Sequence, residues 1–111
     1  MEDGFIERRR FPRVPLTSGT AFVRPVSMAV RLLDLSSEGL LMSCPDPLRL
    51  GATTKVIARL AGRSLDAEID IRHVSTRWDQ LIGGYRVGGR FLSLGPQARL
   101  AIAAVLSGSH L

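Results

Sequence analysis

The stretch "LDAEIDIRHV", residues 65–74, alternates apolar and charged side chains along its length. Leu65, Ala67, Ile69 and Ile71 fall on one side, with His73 continuing that series, while Asp66, Glu68, Asp70 and Arg72 fall on the other. Successive side chains of an extended chain point to opposite faces, so a period of two predicts a strand with one face on a core and one in water. Immediately upstream, "TTKVIARL" (53–60) alternates as well, and "AGRS" (61–64) between them supplies turn residues. The two runs therefore predict a β-hairpin with one buried face.

The same texture extends in both directions. "GTAFVRPV" (19–26) and "MAVRLLDL" (28–35) are apolar segments that can pair through a tight connection around Pro25 and Ser27. "GLLMSC" (39–44) is a third short apolar run, ended by Pro45 and Pro47, which have no N–H to give to a ladder. Downstream, "TRWDQLIGG" (76–84) reads as a turn and crossing, and "YRVGGRFLSL" (85–94) sets Tyr85, Val87, Gly89 and Phe91 against Arg86, Gly88, Arg90 and Leu92. Gly88 and Gly89 permit strong bending or close packing of that strand. Gly95-Pro96 breaks the alternation, and "PQARLAIAAVL" (96–106) predicts a helix. Proline suits its first turn, Gly108 suits its stop, and Leu100, Ala103, Ala104 and Val105 or Leu106 suit its packed side.

Short strands with closely spaced turns and one terminal helix predict an all-β domain: a small antiparallel barrel lidded by the C-terminal helix. The 111 residues suffice for one core. Residues 1–12, charged and peripheral, are expected to form a mobile arm, residues 13–107 the barrel and helix, and residues 108–111 a tail.

Fourteen arginines and one lysine face ten acids, giving a net charge of +5. That balance favours anionic partners. Cys44 is the single cysteine, so neither an internal disulfide nor a multi-cysteine zinc site can form. The N-terminus "MEDGFIERRR" has no apolar core of a signal peptide, and the longest apolar run, "LAIAAVL" (100–106), is too short to span a bilayer. A cytoplasmic location, without membrane insertion, is expected.

Two polar clusters interrupt this background. "RRRFPR" (8–13) gathers Arg8, Arg9, Arg10 and Arg13, and the pair Arg9 and Arg13 has the form R-x-x-x-R. "DLSSEG" (34–39), between two predicted strands, has the form D-x-S-x-x-G. Taken separately, the first describes a solvated basic arm and the second a polar turn in which Asp34 and Ser36 bond nearby backbone and Gly39 takes a positive φ. Taken in this order, before the first strand and between the next two, they resemble the signature of the PilZ domain family. "YRVGGRF" is similar to that family's late glycine-containing strand, and Arg8 is also often basic there.

The resemblance implies a six-stranded antiparallel barrel of PilZ type that binds the bacterial second messenger cyclic di-GMP through Arg8, Arg9, Arg13, Asp34, Ser36 and Gly39. The residue types suit such a ligand. A guanidinium meets phosphate oxygens through paired, charge-assisted hydrogen bonds, addresses guanine O6 and N7 side by side, and stacks on a purine. A carboxylate such as Asp34 accepts from guanine N1–H and N2–H, and Ser36 adds a hydroxyl at short reach. The resemblance further implies a sensor or adaptor, with an effector protein as its partner and no cofactor besides the nucleotide.

Two other functions fit the composition: a PilZ-type interaction domain that needs no ligand, and a basic barrel for single-stranded nucleic acid. Against the latter, aromatic residues are only 5% of the chain and no aromatic ladder accompanies the basic cluster. An enzyme is disfavoured, because no nucleophile–base pair, carboxylate dyad or metal cluster can be assembled. His73 and His110 lack partners for either role, and Trp78 stands in the 76–84 crossing with no assigned partner.

Overall fold

The structure, a computed structural model, describes residues 13–16, 20–24 and 28–108. The arm expected over residues 1–12, the connection around Pro25 and Ser27, and the tail beyond Gly108 lie outside the described residues. Among these described residues seven strands and a helix follow in chain order: β1 (Val14–Pro15), β2 (Thr20–Arg24), β3 (Met28–Leu35), β4 (Gly39–Cys44), β5 (Thr53–Leu60), β6 (Arg63–Val74), β7 (Tyr85–Leu94) and α1 (Pro96–Leu106).

Six of the strands close an antiparallel ring in the order β3-β2-β5-β6-β7-β4, with β4 returning to β3. Closure satisfies the backbone groups that an open sheet would leave at its edges. The two-residue β1 lies on the same edge of β3 as β2, beyond the end of it. Val14 stands opposite Leu35 and Pro15 opposite Asp34, whereas β2 runs from Thr20 opposite Arg31 to Val23 opposite Met28.

The hairpin predicted from the alternating runs is present, with Thr53 opposite Asp70 through to Leu60 opposite Arg63. Its turn is tighter than "AGRS" suggested. Only Ala61 and Gly62 form it, both at positive φ (53° and 74°), and β6 already begins at Arg63. A two-residue turn with both positions left-handed matches the right-handed twist of the flanking strands. Thr54, Val56, Ala58 and Leu60 of β5 are buried, as are Leu65, Ala67, Ile69 and Ile71 of β6.

His73 does not continue the buried series. The pairing of β6 with β7 shifts register between Ile71 and His73, and His73 is exposed while Val74 turns partly inward. One extra residue in a strand reverses the faces that follow it.

The helix occupies the expected residues and ends where Gly108 takes φ 79°. Its packed side differs from expectation. Ala98, Ala101, Ile102 and Val105 are buried, at spacings of three and four, while Leu100 is 49% exposed and Ala103 is exposed. Apolar residues surround this helix, so periodicity alone did not single out a face; small alanines let the axis approach β6, β5 and β7 closely. These four residues close a core built of Leu32, Leu35, Leu40, Met42, Val56, Leu65, Ile69, Ile71 and Val87.

Candidate ligand-binding site

Arg13, the described end of the arginine cluster, meets the D-x-S-x-x-G segment where β1, β3 and the turn into β4 come together. Along β3, Val30 and Leu32 point into the barrel, and unbroken alternation would send residue 34 after them. The pairing of β3 with β4 instead shifts register between Leu32 and Asp34. Leu33 is the extra residue, so Leu35 becomes fully buried and the Asp34 carboxylate is left partly exposed. A bulge thus re-aims one side chain, a frequent device beside functional sites.

Asp34 is met there by Arg13, immediately before β1. The guanidinium Nη1 donates to Asp34 Oδ1 at 2.8 Å, with the side chains 28% and 20% exposed. Pro15 stands opposite Asp34 in the ladder, and the Leu16 N–H donates to the Leu33 carbonyl at 2.8 Å. The segment carrying the end of the arginine motif is thereby held against the strand that carries the aspartate. Arg8 and Arg9 lie outside the described residues.

Ser36 serves the turn itself. Only 2% exposed, its Oγ accepts from the Glu38 and Gly39 N–H groups, each at 3.2 Å, while the Ser36 N–H donates to the Gly39 carbonyl at 2.9 Å. The Phe91 N–H donates to the Glu38 carbonyl at 2.8 Å, which ties the turn to β7. Gly39 is not in the left-handed region that a polar turn suggested; what it allows instead is close backbone approach. A Cβ there would lie 2.1 Å from the Gly89 carbonyl oxygen. Gly89 is itself crowded, with Ile69 Cδ1 2.6 Å from where its Cβ would be, so it serves close packing, whereas a Cβ at Gly88 would meet nothing nearer than His73 Cβ at 3.5 Å.

Two features beside this site were not singled out from the sequence. Arg90, exposed on β7, stands opposite Gly39 and adds a guanidinium next to the turn; its place on the polar side of the 85–94 alternation was the available signal. The second is the anchoring of the 75–84 connection, which folds onto the outside of β3 and β4. Its Ile82 carbonyl accepts from both Arg31 Nη2 and Ser43 Oγ, the latter at 3.1 Å. No periodic pattern encodes such an anchor.

Burial pushes the Cys44 thiol up to about 12, far from thiolate at neutral pH. Among the described residues no group of three or more His, Cys, Asp or Glu could hold a metal ion. No helix among them is long and apolar enough to cross a membrane.

An ordered turn with Arg13 and Arg90 beside it, and a surface carboxylate re-aimed by a bulge, thus sit on a closed six-stranded barrel with a C-terminal helix. The family model of the PilZ domain matches residues 7–108, and the chain belongs to the PilZ domain family. The PilZ domain of YcgR from Escherichia coli, in a structure with c-di-GMP, superposes with a TM-score of 0.73 at 18% identity, over 91% of this chain and 90% of that one. The Bacillus subtilis inhibitor of motility (MotI/DgrA) superposes with a TM-score of 0.71 at 15% identity, over 88% of this chain. This chain spans about half (48%) of that protein. At these identities the likeness is one of fold. No curated protein matches the chain in sequence.

Proposed function

We propose that this chain is a non-catalytic, cytoplasmic sensor that binds cyclic di-GMP and changes its affinity for an effector protein. Arg8, Arg9 and Arg13 address the phosphates and guanine edges, Asp34 accepts from a guanine, and Ser36 and Gly39 give the intervening turn its shape. The observation that supports this reading most is the 2.8 Å approach of Arg13, the last residue of R-x-x-x-R, to Asp34, the first of D-x-S-x-x-G. The c-di-GMP present in the YcgR PilZ domain structure adds support from a relative of the same fold.

The basic arm supplies the switch. Clustered guanidinium groups repel one another mildly when free, and an anionic ligand turns that repulsion into attraction. Pro12 fixes one φ and lowers the entropy lost when the arm closes. Hydrogen exchange over residues 5–14 with and without nucleotide tests closure; equal protection in the two states excludes it and leaves binding untouched.

Calorimetry with cyclic di-GMP is the deciding experiment, because it returns affinity and stoichiometry together and separates one bound nucleotide from a stacked pair. A blank titration on folded protein overturns the reading in favour of a ligand-independent interaction domain. A shallow salt dependence is expected; a steep one, with tolerance of many sequences, marks a nucleic-acid binder instead.

A further inference from the structure

The ten-residue connection between β6 and β7 is built more tightly than a simple crossing requires. Asp79 organises it: Oδ1 accepts from the Leu81 N–H at 2.9 Å, Oδ2 accepts from Arg86 Nη2 at 3.2 Å, and its backbone bonds Gly83 and Gly84. Ser75 Oγ takes the Arg86 N–H at 2.9 Å and donates to the Arg77 carbonyl at 3.1 Å. Trp78 stands edge-on to Tyr85, with centroids 5.7 Å apart and planes at 90°. Arg31 and Ser43 then fasten Ile82 to the barrel wall.

This well-fastened connection displays apolar side chains outward. Leu81 is 96% exposed and Trp78 50% exposed. Covering both removes apolar surface from water, which favours association. Trp78 and Leu81 border an open depression of about 430 Å³ with Arg77, Asp79 and Arg86. Asp79 already accepts from Leu81 and Arg86, whereas Arg77 forms no ion pair among the described residues, so the local charge left for a partner is positive. Tryptophan and arginine are the residue types that dominate the energy of protein interfaces, and a rigid presentation lowers the entropy lost on association.

We propose that the 75–84 connection is a preformed docking site for an acidic, aliphatic segment of a partner protein, whose leucine-like side chain packs on Trp78 and Leu81 while its carboxylate meets Arg77. This locates the effector contact of the sensor described above and rests on that reading only for its regulatory sense; docking itself requires no nucleotide. The link to the ligand site is short. Arg31 and Asp34 share β3, Ser43 and Leu41 share β4, and Leu41 stands opposite Asp34, so the anchor of the loop and the site occupy neighbouring rows of one surface.

Trp78 is the single tryptophan, so its fluorescence reports on this loop alone. The full chain is titrated with two synthetic peptides of equal length and hydropathy, one of Leu and Glu, the other of Leu and Lys, each with and without cyclic di-GMP. The Glu peptide is expected to give a saturable blue shift that Arg77→Glu or Leu81→Ser weakens about ten-fold or more. Leu100→Ser, which alters an exposed leucine on α1, is expected to leave it unchanged. No saturable shift with the Glu peptide, or equal binding of both peptides, overturns the proposal. So does sedimentation showing that a second copy of the chain already covers Trp78. Failure of peptide docking leaves nucleotide binding standing, and a calorimetric blank with nucleotide leaves docking standing, so the two readings fall separately.

Discussion

Arg13 and Asp34, 21 positions apart in the chain, form an ion pair of 2.8 Å on the outer surface of the barrel. Both side chains are partly exposed, so solvent screens the pair and its worth to folding is at most ~1 kcal/mol. What it contributes is position: a guanidinium and a carboxylate presented together by two strands whose backbones are already paired.

Arg13→Ala is therefore expected to weaken cyclic di-GMP binding about ten-fold or more, the ~1.5–3 kcal/mol of a lost bidentate charge-assisted contact. Its melting temperature is expected to fall little. Calorimetry and a thermal melt on the same material check both halves. Unchanged affinity removes Arg13 from the site.

Gly39→Ala acts through packing rather than through the ligand. Its methyl group would sit 2.1 Å from the Gly89 carbonyl oxygen, a backbone atom that cannot swing aside. An overpacking loss of at least ~1–3 kcal/mol is expected, seen as a lower melting temperature with or without nucleotide. Gly95→Ala is the control, because open space surrounds that position and its φ is −76°. A Gly39→Ala protein as stable as the parent contradicts the close approach of β4 and β7.

These two residues show what was legible in the sequence and what was not. The strands 39–44, 53–60 and 85–94 and the helix 96–106 follow from alternation and from proline and glycine punctuation, because backbone period and side-chain burial are coupled locally. Bulges break that coupling. The extra residues after Leu32 and Ile71 are set by cross-strand pairing, which no local window contains; one re-aimed Asp34 outward and the other put His73 into solvent. The helix misled for a different reason, since Leu100 outweighs alanine on any hydropathy scale while the barrel end accepts the slimmer alanine side. For the candidate site, motif spacing named the residues, but the burial of Ser36 inside its own turn and the neighbouring Arg90 required the fold.

The β5–β6 turn offers a gain in stability. Ala61 sits at φ 53°, where a Cβ costs roughly 1–2 kcal/mol, and is followed by Gly62 at φ 74°. Asparagine tolerates this region and Asn-Gly is the favoured pair for such a turn. Ala61→Asn is expected to add about 0.5–1 kcal/mol and to raise the melting temperature by several degrees. A variant that melts at or below the parent temperature contradicts the two-residue geometry.

Acid is expected to loosen the 75–84 connection before the barrel. The Leu81 N–H, then the Arg86 guanidinium, hold the Asp79 carboxyl below its ordinary value. A carboxylate whose pKa is lower in the folded loop than in the open one stabilises the folded loop fully above the ordinary carboxylate range, near ~4. That contribution disappears as pH falls through the lowered value, because the proton then displaces the bonds from Leu81 and Arg86. The emission of Trp78, whose indole rests on Tyr85 one residue from Asp79, reports the change directly. Below about pH 4 it is expected to shift while the far-ultraviolet signal of the strands persists. In Asp79→Asn the loop is expected to be looser at neutral pH, and the acid step in fluorescence to be absent. A step that survives Asp79→Asn assigns the transition to another carboxyl group and removes Asp79 as the organiser of the loop.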